Sequence, residues 1–73
     1  MDLLTIDEAN AVLKAANDIK TAYPHTRVGQ NIMNNLPESI RLRITNTELD
    51  MFECNDYDKC VQILFSDNIT LIK

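Results

Sequence analysis

The single glycine of this chain, Gly29, lies within a segment that has the pattern of a short helix. The segment extends as far as Pro37, and its apolar side is formed by Val28, Ile32, Met33 and Leu36. A glycine inside a helix costs about 0.5–1 kcal/mol relative to alanine. Because a chain of 73 residues has little stability to lose, we expect a close backbone contact at Gly29, with another helix packed against it.

A longer helix precedes this segment. Thr5 and Glu8 have the spacing of a capping box, in which each side chain binds a backbone N–H that the helix leaves free. Pro24 cannot continue a helix, so the pattern predicts a first helix over residues 6–22. Its apolar stripe has the 3.6-residue period of an amphipathic helix and consists of Ile6, Ala9, Val12, Leu13, Ala16, Ile19 and Tyr23.

Further helices follow along the chain. Thr26 is the predicted N-cap of the second helix, and Pro37 ends that helix and can take the first position of a third. Residues 40–44 alternate as a strand does, but an isolated strand would have no partner, so we expect a helix. Asn55 or Asp56 caps a last helix. The apolar face of that helix consists of Tyr57, Cys60, Val61 and Leu64.

These elements predict an all-α fold with one domain over residues 1–73, built as a small bundle of three or four short helices. Residues 66–73 contain a short apolar tail that packs back on the bundle, stays flexible or takes part in an interface. A chain this short buries a smaller share of its surface than a larger domain does, and oligomerisation or a partner often supplies further burial.

Negative charge is concentrated in residues 48–58, which we call the acidic segment. It contains no Lys or Arg, and its carboxylates belong to Glu48, Asp50, Glu53, Asp56 and Asp58. Its hydrophobic anchors are Leu49, Met51 and Phe52, and we expect Phe52 to pin the segment to the core. Residues 20–43 carry a basic excess, although the net charge of the chain is −4. A basic middle between acidic flanks favours charge matching within the chain or between subunits, and argues against a nucleic-acid-binding surface.

The composition excludes several classes of protein and site. No apolar run approaches the ~20 residues of a membrane span, and the acidic start lacks the basic region of a secretory signal. We therefore expect a cytoplasmic protein that makes no membrane contact. Cys54 and Cys60 are too few for a disulfide framework and lack the spacing of zinc ligands. We expect two reduced thiols, with Cys60 in the core, and neither a metal nor a cofactor.

Catalytic residues are not recognisable in this chain. A hydrolytic or acid–base site needs paired carboxylates or a Ser/His/Asp set across a pocket. The single histidine, His25, follows Pro24 in a turn, where a surface or capping role is expected. The acidic segment lacks the glycine and the ligand register of an EF-hand loop. We therefore expect a protein that is not an enzyme.

Two sets of polar residues are candidate binding surfaces. The first is the acidic segment, whose carboxylates suit a basic partner. The second, which we call the polar ridge, is a helix face formed by Arg27, Gln30 and Asn34. The alternative for the ridge is structural. In that interpretation, which we favour, Arg27 pairs with a carboxylate of the acidic segment, and Gln30 and Asn34 bind backbone groups at a helix junction.

One ordered pattern runs through residues 24–65. Pro-x-x-Arg-x-Gly-Gln-x-x-x-Asn-x-Leu-Pro is followed by Ile-x-x-Thr-x-x-Asp-x-Phe and then by an apolar helix. The positions that carry it are Pro24, Arg27, Gly29, Gln30, Asn34, Leu36, Pro37, Ile44, Thr47, Asp50 and Phe52. In this respect the chain resembles short proteins of tailed bacteriophages and prophages, in which a proline often stands at the position of Met51. The resemblance implies a small helical domain of phage origin and no particular activity.

These observations predict a small accessory protein of phage type that acts by binding another protein. The expected target is a host or defence enzyme, inhibited or redirected in the manner of anti-CRISPR or anti-restriction proteins. A structural, self-assembling homo-oligomer is the alternative. A nucleic-acid-binding regulator is a second alternative, which the acidic balance disfavours.

Overall fold

The computed structural model describes residues 3–72 and contains four helices there. They are α1 (Ile6–Ala22), α2 (Val28–Asn35), α3 (Glu38–Ile44) and α4 (Tyr57–Leu64). Within the described residues, extended pairing is limited to one isolated parallel bridge between Leu4 and Thr70. The predicted all-α bundle is therefore confirmed. No helix in this part of the chain is long and apolar enough to cross a membrane.

The first helix, α1, has the bounds that its sequence pattern predicts. The Thr5 hydroxyl oxygen accepts the N–H of Glu8 at 3.1 Å, and the Glu8 carboxylate accepts the N–H of Thr5 at 2.9 Å. The predicted capping box is thus confirmed. The buried face of α1, which packs against α2, consists of Ala9, Val12 and Ala16. Ile6 and Tyr23, at the two ends of the predicted stripe, are exposed.

The turn between α1 and α2 differs from the prediction at one residue. Arg27, rather than Thr26, is the N-cap of α2. The Thr26 hydroxyl instead donates to the Tyr23 carbonyl oxygen at 2.8 Å and accepts from the Asn31 amide at 2.8 Å. Thr26 therefore closes the turn, and its oxygen is used on a side chain of α2 rather than on the first backbone N–H groups.

Residues 40–44 are helical, as expected, and belong to α3. Pro37 lies at the N-cap of α3, one position before the helical position at which it was predicted. Ile40 and Ile44 are buried four residues apart, whereas Leu42 between them is 63% exposed. The alternation that resembles a strand arises because one apolar residue of α3 faces solvent.

A single hydrophobic core lies between the helices and includes residues from both ends of the described chain. Ile69 and Thr70 are fully buried there. The Leu4 N–H donates to the Ile69 carbonyl oxygen at 2.8 Å, and the Leu71 N–H donates to the Leu4 carbonyl oxygen at 2.8 Å. The first part of the tail thus packs back on the bundle, while Leu71 and Ile72 are exposed.

Candidate functional site

The acidic segment follows α3 through a left-handed residue and is then held in a tight turn by Asp50. Asn46 has a φ of 64°, a conformation that asparagine tolerates after a helix C-terminus. One carboxylate oxygen of Asp50 accepts the N–H of Asn46 at 2.8 Å, and the other accepts the N–H of Phe52 at 3.0 Å. Asp50 is therefore a structural residue of the turn.

Met51, and not Phe52, anchors the acidic segment on the core. The Met51 side chain is fully buried, whereas Phe52 is 40% exposed. The prediction that Phe52 anchors the segment is therefore wrong. The turn held by Asp50 directs the first of these two neighbouring side chains inward and the second outward, and a flexible methionine fits an irregular gap in a core.

The backbone of the acidic segment lies directly on the first turn of α2. The Gly29 N–H donates to the Cys54 carbonyl oxygen at 3.0 Å, and the Val28 N–H donates to Oδ1 of Asn55 at 3.3 Å. N–H groups at the start of a helix have no partner within it. The side chain of the N-cap residue, Arg27, has no acceptor atom that could satisfy them. The acidic segment therefore caps α2.

This capping contact explains why residue 29 is a glycine. A Cβ atom at Gly29 would overlap the Met51 carbonyl oxygen and would lie 2.6 Å from the Cys54 carbonyl oxygen. Both atoms belong to the backbone and cannot rotate away as the end of a flexible side chain can. The close backbone contact predicted at Gly29 is confirmed, but the partner is the acidic segment rather than a packed helix.

The polar ridge does not form the uniform surface that its helical spacing suggests. Nε of Arg27 donates to the Phe52 carbonyl oxygen at 3.2 Å, and the guanidinium lies 5.6 Å from the centre of the Phe52 ring. The predicted pairing of Arg27 with a carboxylate is therefore wrong, because Arg27 binds a backbone carbonyl and an aromatic ring instead. Gln30 is half-buried and Asn34 is exposed, and neither side chain has a hydrogen-bond partner within residues 3–72. The prediction that these two side chains bind backbone groups is therefore also wrong.

The sequence prediction missed the role of Asn31, and it left the cap of the last helix open between Asn55 and Asp56. Asn31 is buried in α2, where its amide binds the Thr26 hydroxyl. Its position three residues after Val28 puts it on the apolar face, and a polar residue in such a place signals a buried hydrogen bond. Asn55 caps α2, and Asp56 alone caps α4 by accepting the N–H of Lys59 at 3.2 Å.

The five carboxylates of the acidic segment fall into two groups. Asp50 and Asp56 accept backbone N–H groups in a turn and at a helix start. The others, Glu48, Glu53 and Asp58, are exposed and have no hydrogen bond or ion pair within the described residues. Three free carboxylates therefore project from a backbone that the other two, together with the contacts to α2, hold in place.

Basic side chains elsewhere mostly bind backbone oxygens rather than these carboxylates. Lys20 donates to the carbonyl oxygens of Pro24 and Thr26. Arg43 donates to the Asn68 carbonyl oxygen at 2.8 Å. The ion pair seen in residues 3–72 is local to α1, between Lys14 and Asp18. The carboxylates of the acidic segment are thus not neutralised by the basic middle of the chain.

A cleft of about 310 Å³ borders the acidic segment. Its lining includes Met33 and Asn34 of α2 and Arg41 of α3. The acidic segment contributes residues that include Phe52 and Glu53. The cleft therefore brings one residue of the polar ridge beside the acidic segment, and it contains both an aromatic ring and charged groups.

The histidine and the two cysteines of the chain are not among the residues that line this cleft. His25 is exposed, and its ring stands edge-on to Tyr23 with 6.5 Å between ring centres. Within residues 3–72, no group of three or more His, Cys, Asp or Glu side chains is placed to hold a metal ion. The two thiols are free, with Cys60 buried as predicted.

Comparisons with protein families, curated proteins and solved structures find no match to this chain. The resemblance to short phage proteins therefore stays a prediction from the sequence pattern.

Proposed function

We propose that this protein acts by binding another protein through the acidic segment, and that the partner presents a basic surface. The observation that carries the proposal is the set of three exposed carboxylates without internal partners, Glu48, Glu53 and Asp58. In line with the resemblance to phage proteins, the proposed partner is a host or defence enzyme in the cytoplasm of the host cell, which the protein inhibits or redirects.

The way in which the acidic segment is held supports this proposal. Met51 is buried in the core, and the backbone around Cys54 is bonded to the first turn of α2. A surface whose backbone is fixed before binding loses less conformational entropy when a partner docks. Clustered charge of one sign also accelerates association with a surface of opposite charge.

The neighbouring cleft supplies the apolar contact that charge alone lacks. Phe52 stands at its edge, partly exposed and in contact with the guanidinium of Arg27. Aromatic residues at the centre of an interface often carry much of its binding energy. We therefore propose that Phe52 contacts the partner directly, while the free carboxylates around it steer the approach.

The experiment has two stages. The tagged full chain is first used as bait in a bacterial host lysate, and captured proteins are identified by mass spectrometry. Association rates are then measured for the wild type and for the variant Glu48→Gln/Glu53→Gln/Asp58→Asn at several salt concentrations. We expect the wild-type rate to fall as salt rises, and the variant to associate about tenfold more slowly at low salt.

A control variant removes the same amount of charge elsewhere. Asp7→Asn/Glu38→Gln/Asp67→Asn changes three exposed acids outside the acidic segment, and we expect its association rate to stay within about twofold of the wild type. Both variants should unfold close to the wild-type midpoint, because exposed charges contribute little to stability. Equal slowing by both variants would show that net charge matters and the acidic segment does not.

Self-assembly is a second candidate function, favoured by one observation. Leu71 and Ile72 are neighbouring apolar residues with 52% and 42% of their surface exposed. Two adjacent exposed side chains of this kind suit a small apolar contact between copies of the chain. Recovery of the bait alone from the lysate, together with a homo-oligomer in sedimentation, would favour this function over binding to a host protein.

A further inference from the structure

Both cysteines contact the same backbone carbonyl oxygen, at the point where the acidic segment enters α4. The Asp56 carbonyl oxygen accepts the backbone N–H of Cys60 at 3.0 Å. Sγ of Cys54 lies 3.8 Å from the same oxygen. The Cys54 thiol is therefore held over the first turn of α4, the turn from which Cys60 projects.

The two thiols differ in access to solvent. Cys60 is fully buried in the core, and Cys54 is half-buried and packs against the same core. Burial, together with the side-chain hydrogen bond to Cys54, raises the pKa of Cys60 to about 12. Cys60 is therefore protonated at neutral pH, and Cys54 is the more exposed of the two residues.

We propose that Cys54 and Cys60 form an oxidative modification site, at which a hydroperoxide converts the two neighbouring thiols into an intramolecular disulfide. The proposal goes beyond the proposed function, because disulfide formation within one chain needs no partner protein.

The reaction has two balanced steps. The Cys54 sulfur attacks one oxygen of hydrogen peroxide, the O–O bond breaks, and water leaves as Cys54 becomes a sulfenic acid. The Cys60 sulfur then attacks the Cys54 sulfur and forms the S–S bond. The hydroxyl group of the sulfenic acid leaves with the Cys60 proton as a second water. The two thiols supply the two electrons that reduce the peroxide.

The disulfide would tie the acidic segment covalently to α4. The Cys54 carbonyl oxygen already binds the Gly29 N–H of α2, so oxidation would join three elements at one residue. The short loop that it closes contains Asp56, the N-cap of α4, and the exposed carboxylate of Asp58. Oxidation would therefore restrict the part of the acidic segment nearest to α4.

The test uses the reduced full chain treated with hydrogen peroxide. We expect a monomer that loses about 2 Da in intact mass, lacks both free thiols, and regains them with dithiothreitol. Peptide mapping should find Cys54 joined to Cys60. In Cys60→Ala, Cys54 has no second thiol, and we expect oxygen adducts that add about 16 or 32 Da.

Three outcomes in the wild type would overturn the proposal, and none of them depends on how the variant folds. They are a disulfide-linked dimer, an oxygen adduct on Cys54 while the Cys60 thiol stays free, and the absence of any reaction. None of these outcomes bears on capture of a host protein, so the proposed function is tested separately.

Discussion

The first helix, α1, and the acidic segment obtain their structures in opposite ways. α1 is specified by neighbouring residues, because Thr5 and Glu8 cap each other and its apolar stripe repeats at helical spacing. The acidic segment has no such repeat. Asp50 and Asp56 hold its turns locally, and contacts with residues far away in the sequence fix its position on the rest of the molecule. The carbonyl oxygen of Cys54 binds Gly29, and that of Phe52 binds Arg27. Local signals therefore define α1, whereas tertiary contacts decide where the acidic segment lies.

This difference bears on function. A segment that depends on distant contacts can combine a fixed backbone with side chains that have no internal role. In the acidic segment, Asp50 and Asp56 maintain the backbone while Glu48, Glu53 and Asp58 stay free. The charge pattern in the sequence contains all five residues, and it does not distinguish the two groups.

The largest change in stability is expected at the contact between the acidic segment and α2. We expect Gly29→Ala to lower the free energy of unfolding by about 2–3 kcal/mol, because the new Cβ meets backbone oxygens. Helix propensity alone predicts a gain of up to about 1 kcal/mol. Urea unfolding measures the difference, and the matched control is Ala11→Gly on the exposed side of α1, expected to cost about 1 kcal/mol.

A higher urea midpoint for Gly29→Ala than for the wild type would mean that the acidic segment does not press on α2. In that case the acidic segment would no longer count as a region held by tertiary contacts. Amide exchange adds detail, since we expect the alanine variant to lose protection at both ends of this contact, in α2 and around Cys54.

A smaller loss of stability is expected from the turn of the acidic segment. Asp50→Asn keeps one acceptor oxygen but loses the second, so one of the N–H groups of Asn46 and Phe52 is left without its partner. We expect a loss of about 1–2 kcal/mol in urea unfolding. Glu53→Gln, which changes a free carboxylate nearby, should leave the midpoint almost unchanged. Equal midpoints for the two variants would remove the distinction between structural and free carboxylates.

The smallest loss of stability is expected at the capping box of α1. Thr5→Ala removes one half of the capping box, and we expect a loss of about 1 kcal/mol. Amide exchange should increase at the start of α1 and remain unchanged in the acidic segment. Increased exchange throughout the acidic segment would show that the stability of this segment depends on α1.

The structure confirms three sequence predictions that depend on neighbouring residues. The bounds of α1, its capping box and the helical state of residues 40–44 all follow from spacing, caps and proline positions. The failures concern choices among nearby candidates. Phe52 was expected in the core where Met51 lies, and Thr26 was expected to cap α2 where the acidic segment does. Such choices depend on which side chain points at the rest of the molecule.

The candidate site was predictable in its charges and not in its geometry. That Gly29 requires a close contact could be inferred from the energetic cost of glycine in a helix. The identity of the contacting segment could not, because hydrogen bonds between distant residues leave no periodic pattern in a sequence. Arg27 illustrates the same limit, since its charge suggested a carboxylate partner and the folded chain offers a carbonyl oxygen and a ring.

The sequence by itself determined the helices, their order and the concentration of carboxylates in residues 48–58, because caps, helical periodicity and proline act over a few residues. Only the tertiary structure decided that Met51 rather than Phe52 is buried, that the acidic segment caps α2, and that Cys54 lies over the start of α4. The physical reason for the capping contact is the requirement that the first N–H groups of α2 find acceptors. Arg27 provides none, so the acceptors come from Cys54 and Asn55.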